Sequence, residues 1–417
     1  MATLKSRHYE FVTSLVVEHF GIQKNDFKIE DMEKAKNNHV YLIRLDRPLT
    51  ESSPAKSEFS KPYTSEIPAG TSKLVLRISK NNVNLEDSVR IQNEVAFLAL
   101  ARDALSAIDA LVTPRVFGWE DELSTSPTPY SWIMEEFIQG DSLSPDEILA
   151  LDHNTRQSLL YQIARVVKAF QDYRLPKTVS MYGGLKFDDQ GEIVNTASTL
   201  PCGGPFHSYQ QFIREMCTWQ LKMSDRSAYL NRWRDIPGLR ERLESFLTRG
   251  LDKLLDEIPE QKPTLIHADL CLPNLLFDRT SNRLTAVLDF DFAHIGAPIS
   301  EYLFSFWDLG GLLPGSSDPD PLRNYILKGF PFLEEGVEDK WKLARAWDNA
   351  LSHVGAKKPL TIEKAGDIAD IWWFSQDLCE AYWFIDGFLE KRTPEKLEEL
   401  KAESASNLEG YLTQWGF

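Results

Sequence analysis

One stretch of the sequence decides how the rest is interpreted: Leu265-Ile-His-Ala-Asp-Leu-Cys-Leu-Pro-Asn-Leu-Leu-Phe277, followed by Ala286-Val-Leu-Asp-Phe-Asp-Phe292. The first part places His267, Asp269 and Asn274 in the spacing H-x-D-x-x-x-x-N, and the second part adds Asp289 and Asp291. Carboxylate and amide oxygens are the ligands that Mg²⁺ prefers, and a carboxylate can also accept a proton. These residues are therefore the candidates for chemistry.

The apolar residues around these positions predict a β-hairpin. Residues 275–277 and 286–288 indicate two short strands, and polar residues 278–285 join them. The hairpin would bring Asn274 and Asp289 side by side at adjacent strand ends. The alternative is an ordinary hairpin whose acidic residues are simply solvated.

This arrangement suits phosphoryl transfer, which needs few groups in well-defined positions. One carboxylate must accept the proton of the acceptor hydroxyl or orient that hydroxyl for attack. Hard oxygen ligands must hold Mg²⁺ against the β- and γ-phosphates. We expect Asp269 to have the first role and Asn274 and Asp289 the second. Asp291 is either an additional ligand or a support behind the ligands.

The motifs resemble the aminoglycoside phosphotransferase/choline kinase superfamily, the kinase-like phosphotransferases of small molecules. The resemblance extends over about residues 25–310 and is carried by His-Ala-Asp at 267–269, Pro-Asn-Leu-Leu at 273–276, Leu-Asp-Phe-Asp at 288–291 and Gly-Ala-Pro at 296–298. It implies an α+β, two-lobed protein-kinase-like fold that uses ATP and Mg²⁺. It also implies that Asp269 is the catalytic base and that His267 braces the catalytic loop.

The predicted elements are arranged as two lobes. Residues 1–139 predict a small antiparallel N-lobe of five strands with helices, interrupted by a proline- and serine-rich insertion at residues 46–72 that is a surface or mobile loop. Residues 140–417 predict a mainly helical C-lobe. This lobe contains the catalytic loop and hairpin at 264–292, a loop-rich insertion at 178–208 and C-terminal helices for the acceptor. The style of the two insertions resembles fungal members of the superfamily.

The N-lobe must supply contacts to phosphate. In a protein kinase a strand lysine pairs with a helix glutamate; here Arg77 stands at the strand position and Glu94 lies on the following helix. The alternative is an ordinary surface ion pair, which contributes little. The loop before Asn38 contains no glycine, so its amides would approach phosphate less easily. Lys34 or Lys36 would supply compensating charge, or both are solvated.

Residues 133–140 predict the segment that links the lobes. Adenine would bond to the backbone between Glu135 and Phe137, which includes Glu136, and Met134 would line the adenine pocket. A buried strand followed by a turn describes the same residues, and the two interpretations are compatible.

The resemblance places the acceptor site in the C-terminal helices. On one helix, Trp373, Asp377, Glu380 and Phe384 would share a face, at i, i+4, i+7 and i+11. Aromatic rings beside carboxylates could enclose an amine or a quaternary ammonium group. The alternative is that the tryptophans are core residues and that the acids face water.

Composition and charge narrow the function classes. Of 417 residues, 42% are hydrophobic and 26% are charged, and the net charge of −16 disfavours nucleic acid and anionic membranes as partners. No run of about 20 apolar residues is present, and residues 1–20 lack the pattern of a secretory signal. Four widely spaced cysteines favour reduced thiols, so we expect a cytoplasmic protein.

The sequence therefore predicts a small-molecule kinase that transfers the γ-phosphoryl group of ATP to a hydroxyl of a small metabolite, with an amine-bearing one favoured. Two alternatives stay open: a kinase-fold module that binds nucleotide or metabolite without transfer, and a different reaction on the same fold. A protein kinase is disfavoured, because no arginine follows His267 and neither a DFG nor an APE motif is present. The acceptor, the choice between ATP and GTP, and the oligomeric state are open.

Overall fold

The computed structural model describes residues 4–32, 37–54, 61–80, 85–108, 111–121, 130–331 and 339–417. Its N-lobe has two helices and five strands: α1 (Leu4–Phe20), β1 (Phe27–Asp31), β2 (Asn38–Leu45), β3 (Lys73–Ser79), α2 (Asp87–Leu105), β4 (Val116–Glu120) and β5 (Trp132–Glu136). The strands form one antiparallel sheet in the order β1-β2-β3-β5-β4. The predicted five-stranded N-lobe is confirmed.

The two faces of this sheet have different surroundings, because side chains alternate along each strand. Leu74, Leu76 and Ile78 of β3 are fully buried in a core cluster that also includes Val12 of α1. Each such side chain stabilises the fold by about 1.5–3 kcal/mol. Arg77 lies between two of these residues and points to the opposite face, where it meets Glu94 of α2. The sheet thus buries one face and presents a charged group on the other.

The C-lobe is mainly helical, as predicted. Its first part contains α3 (Pro145–Ala150), α4 (His153–Asp172), β6 (Gly184–Phe187), β7 (Ile193–Thr196), α5 (Tyr209–Ser224), α6 (Leu239–Arg249) and α7 (Leu251–Asp256). Its second part contains β8 (Thr264–Ile266), β9 (Leu275–Asp278), β10 (Arg283–Val287), β11 (His294–Gly296), α8 (Glu301–Phe304), α9 (Leu322–Lys328), α10 (Asp339–Val354), α11 (Ala365–Leu378), α12 (Asp386–Leu389) and α13 (Pro394–Gln414). Among the helices described here, none is both long and apolar enough to cross a membrane.

Strands β9 and β10 form the predicted hairpin. They are antiparallel, with Leu275 opposite Val287, and the N–H of Leu288 donates to the carbonyl oxygen of Asn274 at 2.9 Å. At the open end of the hairpin, this bond therefore holds Asn274, the last residue of the catalytic loop, beside Leu288, which directly precedes Asp289. Strands β8 and β11 pair antiparallel and enclose the loop from its other end.

Two segments predicted as irregular are anchored in the fold. In the 46–72 insertion, Ser53 and Ile67 form an antiparallel bridge, and Ile67 is fully buried in the N-lobe core, so of the two predicted alternatives an anchored insertion fits these residues and a mobile loop does not. In the 178–208 segment, β6 and β7 form a hairpin, and Leu185 and Phe206 are core residues. The proline, serine and glycine residues of the two segments indicated loops, but composition could not show which apolar residues anchor these segments in the core.

Candidate active site

The catalytic loop begins at His267, directly after β8. The ring is buried, and burial lowers its pKa to about 4, so the imidazole is neutral at pH 7. Its Nε2 lies 2.9 Å from the carbonyl oxygen of Leu288, and its Nδ1 accepts from the N–H of Asp269 at 3.3 Å. The neutral ring therefore donates to Leu288 and ties the loop to the hairpin. This geometry supports the bracing role over a role in proton transfer.

Side chains from a single segment accept the hydrogen bonds of the loop's backbone. Glu301 of α8 accepts from the N–H groups of His267 at 2.8 Å and Ala268 at 3.1 Å. Ser305 accepts from the N–H of Leu270 at 2.8 Å, and Asp308 accepts from the N–H of Leu272 at 2.6 Å.

These bonds hold the loop in a conformation that the chain would not adopt on its own. Ala268 has φ of +62°, which is unfavourable for a residue with a side chain. Sequence reasoning missed these roles of Glu301, Ser305 and Asp308, because their partners are backbone groups that leave no sequence pattern.

Asp269 and Asn274 are held together at the centre of the loop. The side-chain amide of Asn274 donates to the backbone oxygen of Asp269 at 2.8 Å and to its Oδ2 at 2.9 Å. Both bonds use Nδ2, which turns the Asn274 carbonyl oxygen away from Asp269. This oxygen is the one that can bind a metal ion.

Asp289 follows β10 and is partly exposed. Its φ of +63° turns the carboxylate out of the strand direction. Although 39% of the side chain is exposed, desolvation by the surrounding protein raises the pKa of Asp289 to about 6; Asp291 adds to this rise and Arg77 opposes it. Asp269 also raises the pKa of Asp289 through its charge, so the two carboxylates are near enough to interact.

The predicted ion pair between Arg77 of β3 and Glu94 of α2 is part of a larger charged group, which we call the Arg77 cluster: Arg77, Arg90, Glu94, Asp289 and Asp291. Arg77 pairs with Glu94, and its Nη2 lies 3.1 Å from Oδ1 of both Asp289 and Asp291. Arg90 Nη2 lies 3.0 Å from Oδ2 of Asp291. Desolvation works to raise the pKa of Asp291, but the two arginines outweigh it and lower that pKa.

Asn38 connects the loop between β1 and β2 to this cluster. Its Nδ2 donates to Oδ2 of Asp291 at 2.9 Å, and its Oδ1 accepts from Arg90 at 2.9 Å. Asn38 is buried, so its side chain supports Asp291 and does not face a ligand. Lys34 and Lys36 lie outside the described residues.

The donor set at the cluster fits a divalent cation. Carboxylate oxygens of Glu94, Asp289 and Asp291 lie within 4.8 Å of one another, and hard oxygen ligands are those that Mg²⁺ takes. All three acids contact an arginine, but Glu94 and Asp291 are buried, whereas Asp289 is partly exposed. Asp289 is therefore the better ligand, and Asp291 fits the supporting role.

Two residues predicted to contact adenine are placed elsewhere. Met134 is fully buried in the core on the α1 side of the sheet, so it does not line a cleft on the other side. The N–H of Glu136 donates to the carbonyl oxygen of Arg115, and its carboxylate pairs with the Arg115 guanidinium at 2.7 Å. Phe137 is partly buried, with Lys73 4.6 Å from its ring centre. Met134 differs from the prediction because side chains alternate along β5, and Glu136 differs because it pairs with Arg115.

The predicted acceptor face is wrong. The helix α11 ends at Leu378, so Glu380 and Phe384 do not continue the face of Trp373 and Asp377, although Phe384 does line the cavity beside Asp269 that is described next. The indole N–H of Trp373 donates to the carbonyl oxygen of Leu313 at 2.8 Å. Asp377 faces α13, where it accepts a hydrogen bond from Asn407 at 3.3 Å. Burial raises the pKa of both Asp377 and Glu380 to about 7.

A cavity of about 210 Å³, which we call the Asp269 cavity, opens beside the catalytic loop. Its wall includes Asp269 itself, Trp219 and Gln220 of α5, and Trp372 and Gln376 of α11. Trp372 thus lines the cavity in place of its predicted neighbour, Trp373. A step of one residue rotates a side chain by about 100° around a helix, and neighbouring tryptophans gave no signal to choose between them.

Comparison with known proteins agrees with this geometry. A family model described as the phosphotransferase enzyme family, APH, matches residues 61–335. The chain belongs to the phosphotransferase enzyme family. The match includes β3, α2, the catalytic loop and the hairpin, and ends before α10 and α11. Among curated proteins, none matches this chain.

Solved structures share the fold of this phosphotransferase over almost its full length. The streptomycin–ATP–APH(2'')-IIa ternary complex has 14% sequence identity and a TM-score of 0.51, and the alignment covers 98% of this chain and 99% of that chain. The gentamicin–APH(2'')-IIa complex has 16% identity and a TM-score of 0.51, with 98% and 97% covered. ADP-bound APH(2'')-Ib has 14% identity and a TM-score of 0.50, with 98% and 99% covered. At these identities the likeness shows the two-lobed kinase-like fold alone.

Proposed function

We propose that this small-molecule phosphotransferase moves the γ-phosphoryl group of ATP, with Mg²⁺, to a hydroxyl group of its acceptor. The observation that supports this most directly is the joined geometry of three residues. Asn274 holds Asp269 by its side-chain amide, and the backbone bond between Asn274 and Leu288 places Asp289 next to both. The bound nucleotides of the aminoglycoside phosphotransferases that share the fold, ATP in one complex and ADP in another, agree with this proposal.

Each side chain has a stated part in the transfer. Asn274 and Asp289 would hold Mg²⁺, which neutralises charge on the β- and γ-phosphates when bound. Arg77 would grip phosphate oxygens with its planar guanidinium, steadied by Glu94. Asp269 takes the proton of the acceptor hydroxyl while the hydroxyl oxygen forms its bond to the γ-phosphorus. The bond between that phosphorus and the oxygen that bridges the β- and γ-phosphates breaks, and ADP leaves with the electron pair.

The experiment is ³¹P NMR of ATP incubated with the purified chain, Mg²⁺ and a panel of alcohols, amino alcohols and sugars. We expect a phosphomonoester and ADP to appear with at least one acceptor, and Asp269→Asn to abolish this turnover while nucleotide still binds. Asp256→Asn, an exposed acid at the end of α7, is the matched control and should keep full activity. Equal turnover in Asp269→Asn and the wild type would contradict the assignment of the base. Nucleotide binding without turnover on any acceptor would favour a binding module.

A further inference from the structure

The wall of the Asp269 cavity is apolar and aromatic. Five aromatic side chains and two thioethers contribute to it: Trp219, Phe292, Phe304, Trp372, Phe384, Met216 and Met223. Apart from Asp269, the wall residues that the structure describes carry no charged side chain. Sites with this lining take ligands whose surface is mostly apolar.

One polar atom in this wall has no partner. Gln220 is only 5% exposed, and its Oε1 makes no hydrogen bond to any described residue. Met216, Gln220 and Met223 stand at i, i+4 and i+7 of α5, so they share the face that lines the cavity. Oε1 has less than 1 Å² of accessible surface, so a ligand in the cavity reaches this amide through its other atom, Nε2, which makes no hydrogen bond to a described residue either. Buried amide groups are normally paired, and one left without a partner in a cavity wall calls for a polar group from a ligand.

A cationic acceptor matches this wall poorly. A buried cation needs a carboxylate partner, and the one carboxylate among the described wall residues is Asp269, which must accept the proton of the hydroxyl. Asp377 faces α13 and does not line the cavity. The aromatic rings alone would compensate only part of the cost of removing a charge from water.

The volume indicates the size of the group that fits inside the cavity. A cavity of about 150 Å³ is enough for benzene, so about 210 Å³ accommodates a compact molecule of on the order of ten heavy atoms. We propose that the acceptor is a neutral, largely apolar aromatic alcohol of this size. Its hydroxyl lies at Asp269, and a second polar group forms a hydrogen bond with the side-chain amide of Gln220. The role of Asp269 rests on the proposed function, whereas binding in the cavity does not require transfer.

Calorimetry on the full chain tests the binding with four probes: tyrosol, 2-phenylethanol, choline and kanamycin. Tyrosol and 2-phenylethanol differ by one phenolic hydroxyl, which is the group that would form a hydrogen bond with the Gln220 amide. We expect both aromatic alcohols to bind more tightly than choline or kanamycin. Tyrosol should bind about five- to tenfold more tightly than 2-phenylethanol, the effect of one net hydrogen bond.

Gln220→Leu removes the side-chain amide and keeps the volume. It should abolish the preference for tyrosol and leave the affinity for 2-phenylethanol within about twofold, whereas Gln157→Leu, an exposed control on α4, should change neither. The inference is overturned if the preference survives Gln220→Leu, if choline or kanamycin binds more tightly than both alcohols, or if neither alcohol binds at millimolar concentration. Should Gln220→Leu fail to fold, the order of the four affinities on the wild type still decides.

ADP release from Mg–ATP with the same four probes separates this inference from the proposed function. Aromatic alcohols that bind but are never phosphorylated would support the cavity chemistry and contradict phosphoryl transfer to them. Phosphorylation of choline or kanamycin, without binding of either alcohol, would support the proposed function and overturn the inference.

Discussion

Replacing Arg77 with methionine removes the cation around which the buried acids of the N-lobe and the hairpin are arranged. The guanidinium contacts Glu94 and lies 3.1 Å from both Asp289 and Asp291. At an effective dielectric constant of about 20, each such pair attracts by roughly 5 kcal/mol before desolvation is subtracted. Asp291 keeps Arg90 as a partner, at 3.0 Å, but Glu94 is left buried beside other acids. Stranding one partner of a buried pair costs about 3–5 kcal/mol.

This cost sets the expected change in melting temperature. An unfolding entropy of about 2.1 cal/mol/K per residue gives roughly 0.9 kcal/mol/K for 417 residues, so Arg77→Met should lower Tm by about 3–6 °C. Differential scanning calorimetry measures this. Arg115→Met is the control, because its partly exposed pair with Glu136 contributes less than about 1 kcal/mol.

A second variant tests the reason for the loss. Glu94→Gln on the Arg77→Met background removes the stranded acid, so the double variant should be more stable than Arg77→Met alone. A double variant that melts lower than Arg77→Met, or a Tm for Arg77→Met equal to that of Arg115→Met, would refute the idea that buried charge pairing organises this cluster.

Three further predictions follow from the same geometry. Gly140→Ala should destabilise by about 1–3 kcal/mol, because its Cβ would lie 2.9 Å from that of Leu276, whereas Gly387→Ala meets no atom within 4 Å and should be neutral or stabilising in urea melts. Burial lowers the pKa of His294 to about 4, so on acidification the unfolded chain binds a proton at this residue before the folded chain does. The free energy of unfolding should therefore fall by up to about 3 kcal/mol as the pH drops from about 6.5 to 4, and His294→Gln should flatten this slope. Glu301→Gln should reduce kcat by about a hundredfold and leave nucleotide affinity unchanged, since it disturbs the loop backbone only.

Much of the fold could be predicted because its signals are local. The H-x-D-x-x-x-x-N spacing, the strand residues on both sides of the hairpin turn and the pairing of Arg77 with Glu94 all depend on residues close in sequence or on element order. The structure brings Asp269, Asn274 and Asp289 together as expected. Their roles in transfer stay proposals, as do the division at residue 139, the fungal style of the insertions and the cytoplasmic location.

The parts that sequence reasoning missed depend on tertiary contacts. The helix α11 ends at Leu378 although the residues that follow it are apolar enough to continue a helix, and the side of α11 that faces the cavity, which carries Trp372 and not Trp373, is set by its packing against other elements. Glu301 bonds backbone groups 33 and 34 residues earlier in the chain. Met134 was assigned to the wrong face because both faces of β5 carry buried residues, so alternation alone could not show which face meets the nucleotide.

Binding of Mg–ATP and Mg–GTP to the wild type, Asp289→Ala and Asp256→Asn, measured by isothermal titration calorimetry, tests most directly whether the three residues form a working nucleotide site. We predict magnesium-dependent binding to the wild type and to Asp256→Asn, and a loss of at least about tenfold in Asp289→Ala. Absence of binding at millimolar nucleotide, or equal affinity in Asp289→Ala, would contradict the assignment of Asp289 as a metal ligand and favour a kinase fold that no longer transfers phosphate.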